Sequence, residues 1–276
     1  MLTGKMVITD LDGTLFRSDH TFSETDIKTL EDLKDKGVVR VLATGRSIFS
    51  IERSIKTILP VDFIIFSTGA GIARYPAPLD NILKSNSLSR NETKQIIDFL
   101  ETLDVDYMVQ KTIPRNHIFS YRYKSKNNAD FTTRLEFYNS YSSKLDFKNI
   151  NASSQILVIV PDSKGDIILE IIKKQLPEFS VIKATSPFDG KTIWIEIFAK
   201  GTSKSSAVSW LSSQLSIDRK DTIAIGNDYN DEDLLLWAET GFVVNNAPAD
   251  LKSRFQTVAS NNDCGVTEAI KSVFSL

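Results

Sequence analysis

The feature that most constrains this chain is an alternation of short apolar strands with amphipathic helices near its amino terminus. Strands are predicted at 5–9, 38–44 and 62–69. Helices are predicted between them, over 24–36 and 47–59. The strands are apolar along their whole length instead of alternating with polar residues. That pattern is typical of a parallel sheet whose two faces are both covered by helices.

The same alternation returns after Gly201. Helices are predicted over 203–215, 232–239 and 266–274, and strands over 221–228 and 241–247. The middle of the chain is instead rich in Asn, Ser, Lys and Tyr, with helical patterns at 89–103, 129–141 and 163–176 and strand candidates at 105–109, 117–123, 155–160, 179–184 and 192–198. We therefore expect an α/β fold, with a Rossmann-like parallel sheet from 1–80 and 186–276 and an inserted α+β domain over 81–185.

Composition excludes several classes of function. The 276 residues carry a net charge of −2, which gives no electrostatic case for binding nucleic acid or an anionic membrane. The one cysteine, Cys264, permits no intrachain disulfide and is compatible with a reducing compartment. No stretch reaches the roughly 18 apolar residues of a membrane-spanning helix, and Asp10 and Asp12 interrupt the early apolar run. We expect a cytoplasmic monomer or homodimer.

Polar side chains stand where the predicted core strands end. They form the clusters Asp10/Asp12/Thr14, Thr44-Gly45-Arg46 and Asn227 to Asp231, and Lys204 lies in the first turn of a predicted helix. Because the carboxyl ends of parallel strands meet at one edge of a sheet, we expect these residues to share a crevice. Clustered carboxylates repel one another unless a cation is present. Mg²⁺, which prefers oxygen ligands, is the predicted cofactor.

Four motifs in this order, DLDGT, ATGR, KGTSK and GNDYND, resemble the haloacid dehalogenase-like phosphatase superfamily. The insertion between the second and third motifs resembles the Cof-type branch, which has a large α/β cap that sets substrate specificity. The resemblance covers the whole chain. It implies a Mg²⁺-dependent phosphatase that acts on small phosphorylated metabolites, with sugar phosphates favoured, through an aspartyl-phosphate intermediate.

The resemblance also implies catalytic roles. Asp10 would be the nucleophile and a metal ligand. Asp12 would protonate the leaving alkoxide and then activate water, and its backbone carbonyl would also bind the metal. Thr44 would hydrogen-bond the phosphoryl oxygens, and Lys204 would neutralise charge on the phosphoryl group and on Asp10. A halide leaves without a proton, so an aspartate at position 12 favours ester cleavage over dehalogenation.

The predicted substrate-binding residues are Gly13, Gly45, Arg46, Asn230, Arg115 and Asn116. The last two belong to a candidate cap loop at 112–119, and 186–191 is a second candidate loop. Two roles stay open for Arg46, contact with substrate or pairing with a nearby carboxylate. Thr14 is expected to hold its loop. The implied chemistry needs neither His20 nor His117, and Cys264 is expected to be unreactive.

Two positions depart from the family pattern. Where the fourth motif usually has Gly-Asp, Gly226 is followed by Asn227, and an aspartate comes one residue later at 228. The metal ligand is then either the amide oxygen of Asn227 or, after a small shift of the loop, Asp228. Asp231 would bind the metal through a water molecule or would contact the metal ligands without binding the metal itself. The strand at 62–69 ends in STGA, where the branch often has SNGA, so Thr68 replaces an asparagine.

Two rival functions stay open at this point. A phosphotransferase or mutase would form the same aspartyl-phosphate and pass the phosphoryl group to a sugar instead of water. A sugar-phosphate-binding sensor would be a protein in which the asparagine at 227 has weakened catalysis. Turnover of a simple phosphate ester with Mg²⁺ separates a sensor from the two enzymes.

Overall fold

A computed structural model describes residues 2–76, 81–125 and 127–274. The described residues form two compact units. The first unit draws on Met1–Arg46, Arg53–Lys84 and Ser203–Leu276, and the second on Ser47–Glu52 and Ser85–Thr202. The second unit is therefore an insertion in the first, apart from six residues that follow Arg46.

The amino-terminal part of the chain forms strands of the first unit and two helices. In chain order they are β1 (Met6–Thr9), α1 (Glu24–Asp35), β2 (Val39–Ala43), α2 (Ile48–Ser54), β3 (Phe63–Phe66), β4 (Gly71–Arg74) and β5 (Ile82–Ser85). Helix α1 begins where the Ser23 side chain accepts a hydrogen bond from the amide of Asp26. The sequence predicts the first three strands and both helices, whereas β4 and β5, each four residues long, were missed.

The second unit contains three helices and six strands among its described residues. They are α3 (Arg90–Leu100), β6 (Asp106–Gln110), β7 (Phe119–Arg122), α4 (Ala129–Phe137), β8 (Ser142–Lys144), β9 (Ile156–Val160), α5 (Asp162–Gln175), β10 (Ser180–Thr185) and β11 (Ile193–Phe198). Their sheet has the order β10-β11-β9-β6-β7-β8. Residues of α3 and α5 pack with one face of this sheet, and Phe131 of α4 packs with the other.

The place of β11 corrects the predicted domain boundary at 185/186. This strand pairs with β10 on one side and with β9 on the other, so it lies inside the second unit's sheet. The inserted unit consequently extends to Thr202, and the first unit resumes at Ser203. The sequence could not decide this point, because an apolar strand at 193–198 fits either sheet equally well.

The carboxyl-terminal part returns to the first unit. It forms α6 (Lys204–Leu215), β12 (Thr222–Gly226), α7 (Glu232–Trp237), β13 (Thr240–Val244), α8 (Ala249–Lys252), β14 (Gln256–Val258) and α9 (Gly265–Val273). The first unit's sheet has the order β14-β13-β12-β1-β2-β3-β4-β5. All pairs from β14 to β3 are parallel, and β4 runs antiparallel to β3.

Helices cover both faces of this sheet, which confirms the predicted fold class. Met6 and Ile8 of β1 pack in one cluster with residues of α6 and α7. Helices α1 and α9 contact each other and the sheet. The parallel strands all end at one edge, where β1, β2, β3, β12 and β13 are followed by Asp10, Thr44, Ser67, Asn227 and Asn245. Within the described residues, no helix is both long enough and apolar enough to cross a bilayer.

Candidate active site

A buried lysine joins two aspartates at the carboxyl edge of the first unit's sheet. Asp10 follows β1, and its backbone amide donates to the carbonyl of Ile225 in β12 at 2.9 Å. Lys204, the first residue of α6, donates from Nζ to Asp10 Oδ1 at 2.7 Å and to Asp231 Oδ1 at 2.5 Å. Lys204 and Asp231 are fully buried, and Asp10 is 5% exposed. Residues from three distant parts of the chain therefore share one ion-pair network.

The charges of this network shift each other's protonation. Burial, followed by repulsion from Asp231, raises the pKa of Asp10 to about 8, although Lys204 opposes the shift. Burial alone would lower the pKa of Lys204, but the carboxylates of Asp10 and Asp231 raise it above its ordinary value. One cation thus stays charged between two carboxyl groups, of which Asp10 holds its proton at neutral pH when no further cation is present. A further cation bound beside Asp10 would favour its ionised form.

Asp12 lies only two residues from Asp10 but has a different environment. Its carboxylate receives two hydrogen bonds from Arg46, from Nε to Oδ2 at 2.7 Å and from Nη2 to Oδ1 at 2.5 Å. The Asp12 side chain is 41% exposed. The Arg46 guanidinium also lies 5.5 Å from the centre of the Phe16 ring. Of the two roles left open for Arg46, the structure shows the pairing with a carboxylate.

The turn after Asp12 is shaped by a glycine. Gly13 has φ +73°, and a Cβ at this position would come within 2.7 Å of Asn227 Nδ2. A side chain is therefore excluded by conformation and by space. Thr14 donates from its hydroxyl to Asn227 Oδ1 at 2.9 Å. Thr14 holds its loop as expected, with Asn227 as its partner.

The fourth motif is organised around Asp231. Its Oδ2 accepts from the amides of Asn227 and Asp228, at 2.9 and 3.1 Å, while its Oδ1 binds Lys204. The Asp228 side chain accepts from the backbone amide of Asp231 and caps the short 3₁₀ turn at Tyr229–Asp231. In the described part of the chain, no group of three or more His, Cys, Asp or Glu side chains is arranged to hold a metal ion. An amide or main-chain oxygen would therefore have to complete such a site.

The second motif gathers small polar groups beside Gly45. Thr44 is buried, and its hydroxyl oxygen accepts from the amide of Arg46 at 3.1 Å. A Cβ on Gly45 would lie 3.5 Å from Thr68 Oγ1 and 3.6 Å from Asn230 Nδ2. Asn230 is also 3.5 Å from Lys204 Nζ. Thr68, which stands where the branch often has an asparagine, is thus a neighbour of the second motif.

The turn after β3 has a strained backbone. Ser67 and Thr68 have φ of +50° and +52° and are both buried. At Gly69, a Cβ would come within 2.1 Å of the carbonyl oxygen of Ser203. This close approach packs the turn against the start of α6, and so it contributes to placing Lys204.

Several predicted residues lie elsewhere. Arg115 and Asn116 belong to the second unit, where Arg115 is exposed and Asn116 is buried. His117, also in the second unit, stacks on Phe49 with ring centres 4.3 Å apart. Substrate binding by Arg115 and Asn116 therefore stays a prediction.

His20 and Cys264 contact neighbours in the first unit. His20 lies 5.7 Å from the Phe16 ring, and Cys264 Sγ is 3.1 Å from the hydroxyl of Ser23. Neither contact includes a residue of the Asp10–Lys204 network.

One contact of the site was missed in the sequence. Asn246 donates from Nδ2 to the carbonyl oxygen of Gly13 at 2.8 Å. Asn246 is the second residue after β13, whereas Asn227 directly follows β12. The sequence shows a pair of asparagines directly after an apolar strand, a polar cluster at the same sheet edge, but nothing in that pattern indicates the contact with Gly13.

Known proteins resemble this chain over almost its full length. The model of the family described as haloacid dehalogenase-like hydrolase matches residues 7–270. The 5-amino-6-(5-phospho-D-ribitylamino)uracil phosphatase YitU of Bacillus subtilis is 24% identical over 280 residues, which cover 98% of each chain. A solved structure, BT1666 from Bacteroides thetaiotaomicron, has a TM-score of 0.78 at 17% identity and covers 98% of this chain and 95% of its own. The sugar phosphatase BT4131 has a TM-score of 0.74 at 18% identity, with 98% of both chains covered.

Proposed function

The chain belongs to the haloacid dehalogenase-like hydrolase family and is a phosphatase of that family, and we propose that it hydrolyses small phosphorylated metabolites, sugar phosphates above all, through an aspartyl-phosphate on Asp10. The observation that carries this proposal is the contrast between Asp10, bound to a buried lysine, and Asp12, two residues away and half-exposed. Two carboxylates in different environments are suited to two different tasks.

In the first step, a carboxylate oxygen of Asp10 attacks phosphorus. The phosphorus–oxygen bond to the organic group breaks, and Asp12 gives its proton to the leaving alkoxide. Lys204, 2.7 Å from Asp10 Oδ1, opposes the negative charge that gathers on the phosphoryl oxygens. The Thr44 hydroxyl and the Gly45 amide would hydrogen-bond those oxygens.

In the second step, Asp12 takes a proton from water, and the water oxygen attacks the phosphorus of the aspartyl-phosphate. Inorganic phosphate leaves, and the Asp10 carboxylate is restored. The acid role requires Asp12 to exchange its two bonds to Arg46 for a proton. An arriving phosphoryl group is a suitable new partner for the guanidinium, since Arg binds phosphate and carboxylate in the same bidentate manner.

The residues present fit Mg²⁺. The Asp10 carboxylate, the Asp12 main-chain carbonyl and the Asn227 side-chain carbonyl are all hard oxygen donors. The raised pKa of Asp10 is the expected sign of a carboxylate built to face more positive charge than Lys204 alone provides. Mg²⁺ bound there would neutralise the phosphoryl charge and hold the phosphate against Asp10.

We favour Asn227 over Asp228 as the ligand. The Asn227 side chain lies against Gly13 and Thr14, whereas the Asp228 carboxylate caps its own turn. Asp231, with both oxygens bound to Lys204 and to backbone amides, would position the site without touching the ion. We therefore expect Asn227→Ala to raise the Mg²⁺ concentration for half-maximal activity by roughly tenfold. Asp228→Ala should change it less, and the opposite order would contradict this assignment.

Sugar phosphates are favoured because the similar structure BT4131 is named a sugar phosphatase. The inserted second unit, including Arg115 and Asn116, is the proposed source of specificity. A cytoplasmic location and a monomeric or homodimeric state remain predictions.

The deciding experiment is hydrolysis of p-nitrophenyl phosphate and a panel of sugar phosphates with Mg²⁺, in wild type and Asp10→Asn. We expect turnover in the wild type and a loss on the order of 10⁴-fold or more in the variant. A phosphotransferase would instead pass the phosphoryl group to added sugar. Binding of sugar phosphate without turnover would exclude both enzymes and support the sensor.

A further inference from the structure

Two asparagines from other parts of the chain, Asn246 and Asn261, hydrogen-bond the loop that follows the proposed nucleophile. Asn246, after β13, donates from Nδ2 to the carbonyl oxygen of Gly13 at 2.8 Å. The Gly13 carbonyl belongs to the peptide unit between Gly13 and Thr14, so this bond acts on the loop one residue beyond Asp12. No motif of the sequence pointed to this contact.

The orientation of the Asn246 amide is determined from both sides. Its Oδ1 accepts from the backbone amide of Asn261 at 3.0 Å, while its Nδ2 serves Gly13. A flipped amide would place oxygen against the carbonyl and nitrogen against the amide, and it would lose both bonds. Asn261 is 2% exposed, and its Nδ2 donates to the carbonyl of Phe16 at 3.0 Å. Asn246 and Asn261 are therefore hydrogen-bonded to each other, and each donates to a carbonyl of the loop after Asp12, that of Gly13 and that of Phe16.

The loop needs such support at Gly13. A glycine peptide unit rotates more freely than any other, and Gly13 has φ +73°. On the other side of this unit, Thr14 is bound to Asn227 at 2.9 Å. Without Asn246, the Gly13–Thr14 peptide unit could turn about the dihedral angles of Gly13, and this change in the path of the loop would displace the Asp12 carboxyl. Small errors of this kind are costly in catalysis, because a displacement of about 1 Å can reduce a rate about 100-fold.

We propose that Asn246 is a positioning residue for the reaction, which holds Gly13 so that the Asp12 carboxyl reaches the leaving oxygen, and that Asn261 keeps Asn246 in place. This inference rests on the proposed function, since it takes Asp12 as the proton donor. Asn246 touches no reacting atom itself. Because Asn246 is exposed, its removal opens no cavity, and stability should change little.

The test compares two leaving groups in Asn246→Ala. A sugar alkoxide is a poor leaving group and depends on the proton from Asp12, whereas p-nitrophenolate leaves readily without one. We compare kcat/KM, which reports the first step and not the attack of water, in which Asp12 serves both substrates. For a sugar phosphate we expect kcat/KM to fall roughly 10- to 100-fold, a part of what general acid catalysis contributes. For p-nitrophenyl phosphate we expect a fall of less than about threefold. A merely structural role would lower both rates equally, which would overturn the proposal, as would an unchanged rate on both.

Matched variants sharpen the result. Asn246→Asp keeps an oxygen for the Asn261 amide but cannot donate to Gly13, so it should behave like the alanine variant. Asn262 is the control, because its side chain bonds Ser18 further along the same loop, at 3.1 Å, and is exposed. Asn262→Ala should leave both rates unchanged. A loss in this control equal to that of Asn246→Ala would also overturn the proposal.

A second measurement does not depend on activity. Hydrogen exchange of the segment 11–17 should accelerate in Asn246→Ala and not in Asn262→Ala, because only the first releases the Gly13 carbonyl. Unchanged protection would show that Asn246 does not hold the loop. If the wild type hydrolyses neither phosphate ester, the proposed function fails. The exchange experiment still decides whether Asn246 holds the Gly13 carbonyl.

Discussion

Asp10 and Asp12 are separated by one residue, yet they occupy opposite kinds of environment. Asp10 is buried and shares Lys204 with Asp231, whereas Asp12 is half-exposed and pairs with Arg46. The difference shows how one short segment prepares two chemically identical groups for two tasks. The buried carboxylate is held close to a fixed cation, and the exposed one has a partner on a long side chain that can move away.

The two ion pairs also differ in what they contribute to stability. A buried pair requires the removal of both charges from water, so loss of one partner leaves an uncompensated charge in the interior. An exposed pair gains little, because water already solvates both groups. The comparison therefore predicts a large loss of stability on removing Lys204 and a small change on removing Arg46.

The largest effect is expected for Lys204→Met. This change removes the cation that the buried carboxyl groups of Asp10 and Asp231 share. Asp10 can take up a proton in response, since Lys204 lowers its pKa, and the charge left without a partner is then that of Asp231. We expect the free energy of unfolding at pH 8 to fall by about 3 to 5 kcal/mol and activity to be lost. Urea denaturation of the Mg²⁺-free protein measures the first effect. A loss equal to that of Arg46→Met would show that the two pairs do not differ in the proposed way.

The sequence predicted the members of both pairs, but the resemblance alone placed Lys204 beside Asp10, and no partner was predicted for Arg46. Asp10, Asp12, Arg46 and Lys204 could be placed at one sheet edge because apolar runs and strand ends are local signals. Which carboxylate meets which cation depends on how α6 and the second motif pack against β1. The sequence therefore left the role of Arg46 open.

Other parts of the fold and of the site were not predicted from the sequence, for related reasons. The strands β4, β5 and β14 are only three or four residues long, and they contain polar residues, whereas β1 and β3 are equally short but lie in continuous apolar runs. Asn246 is an exposed residue on a loop, where an asparagine is ordinarily a turn residue. Only the contact with Gly13 across the folded chain distinguishes it from other asparagines.

A smaller effect is expected in the pH dependence of stability. In the metal-free protein, burial and Asp231 raise the pKa of Asp10 from 3.8 to about 8. The folded state then holds a proton that the unfolded state has released, so the contribution of Asp10 is full below about pH 4 and is lost as pH rises towards 8. Each unit of pKa difference corresponds to about 1.4 kcal/mol.

The matched variant for this measurement is Asp10→Asn, which cannot titrate. With EDTA present, the melting temperature of the wild type should fall relative to that of Asp10→Asn between pH 4 and pH 8. A wild-type curve parallel to that of the variant would mean that Asp10 ionises at its ordinary pKa. It would remove the electrostatic contrast between Asp10 and Asp12.

The smallest effect on stability is expected for Arg46→Ala. The pair with Asp12 is partly solvated, so the free energy of unfolding should change by less than about 1 kcal/mol. Catalysis should respond more strongly, because the guanidinium is proposed to move from Asp12 to the phosphoryl group. We expect KM for a sugar phosphate to rise roughly tenfold, the cost of one charge-assisted contact. Arg46→Lys keeps the charge but not the bidentate geometry, and it should recover only part of the affinity. If KM were unchanged and only stability fell, Arg46 would contribute to the fold alone. Its guanidinium would then not move from Asp12 to the phosphoryl group of the substrate.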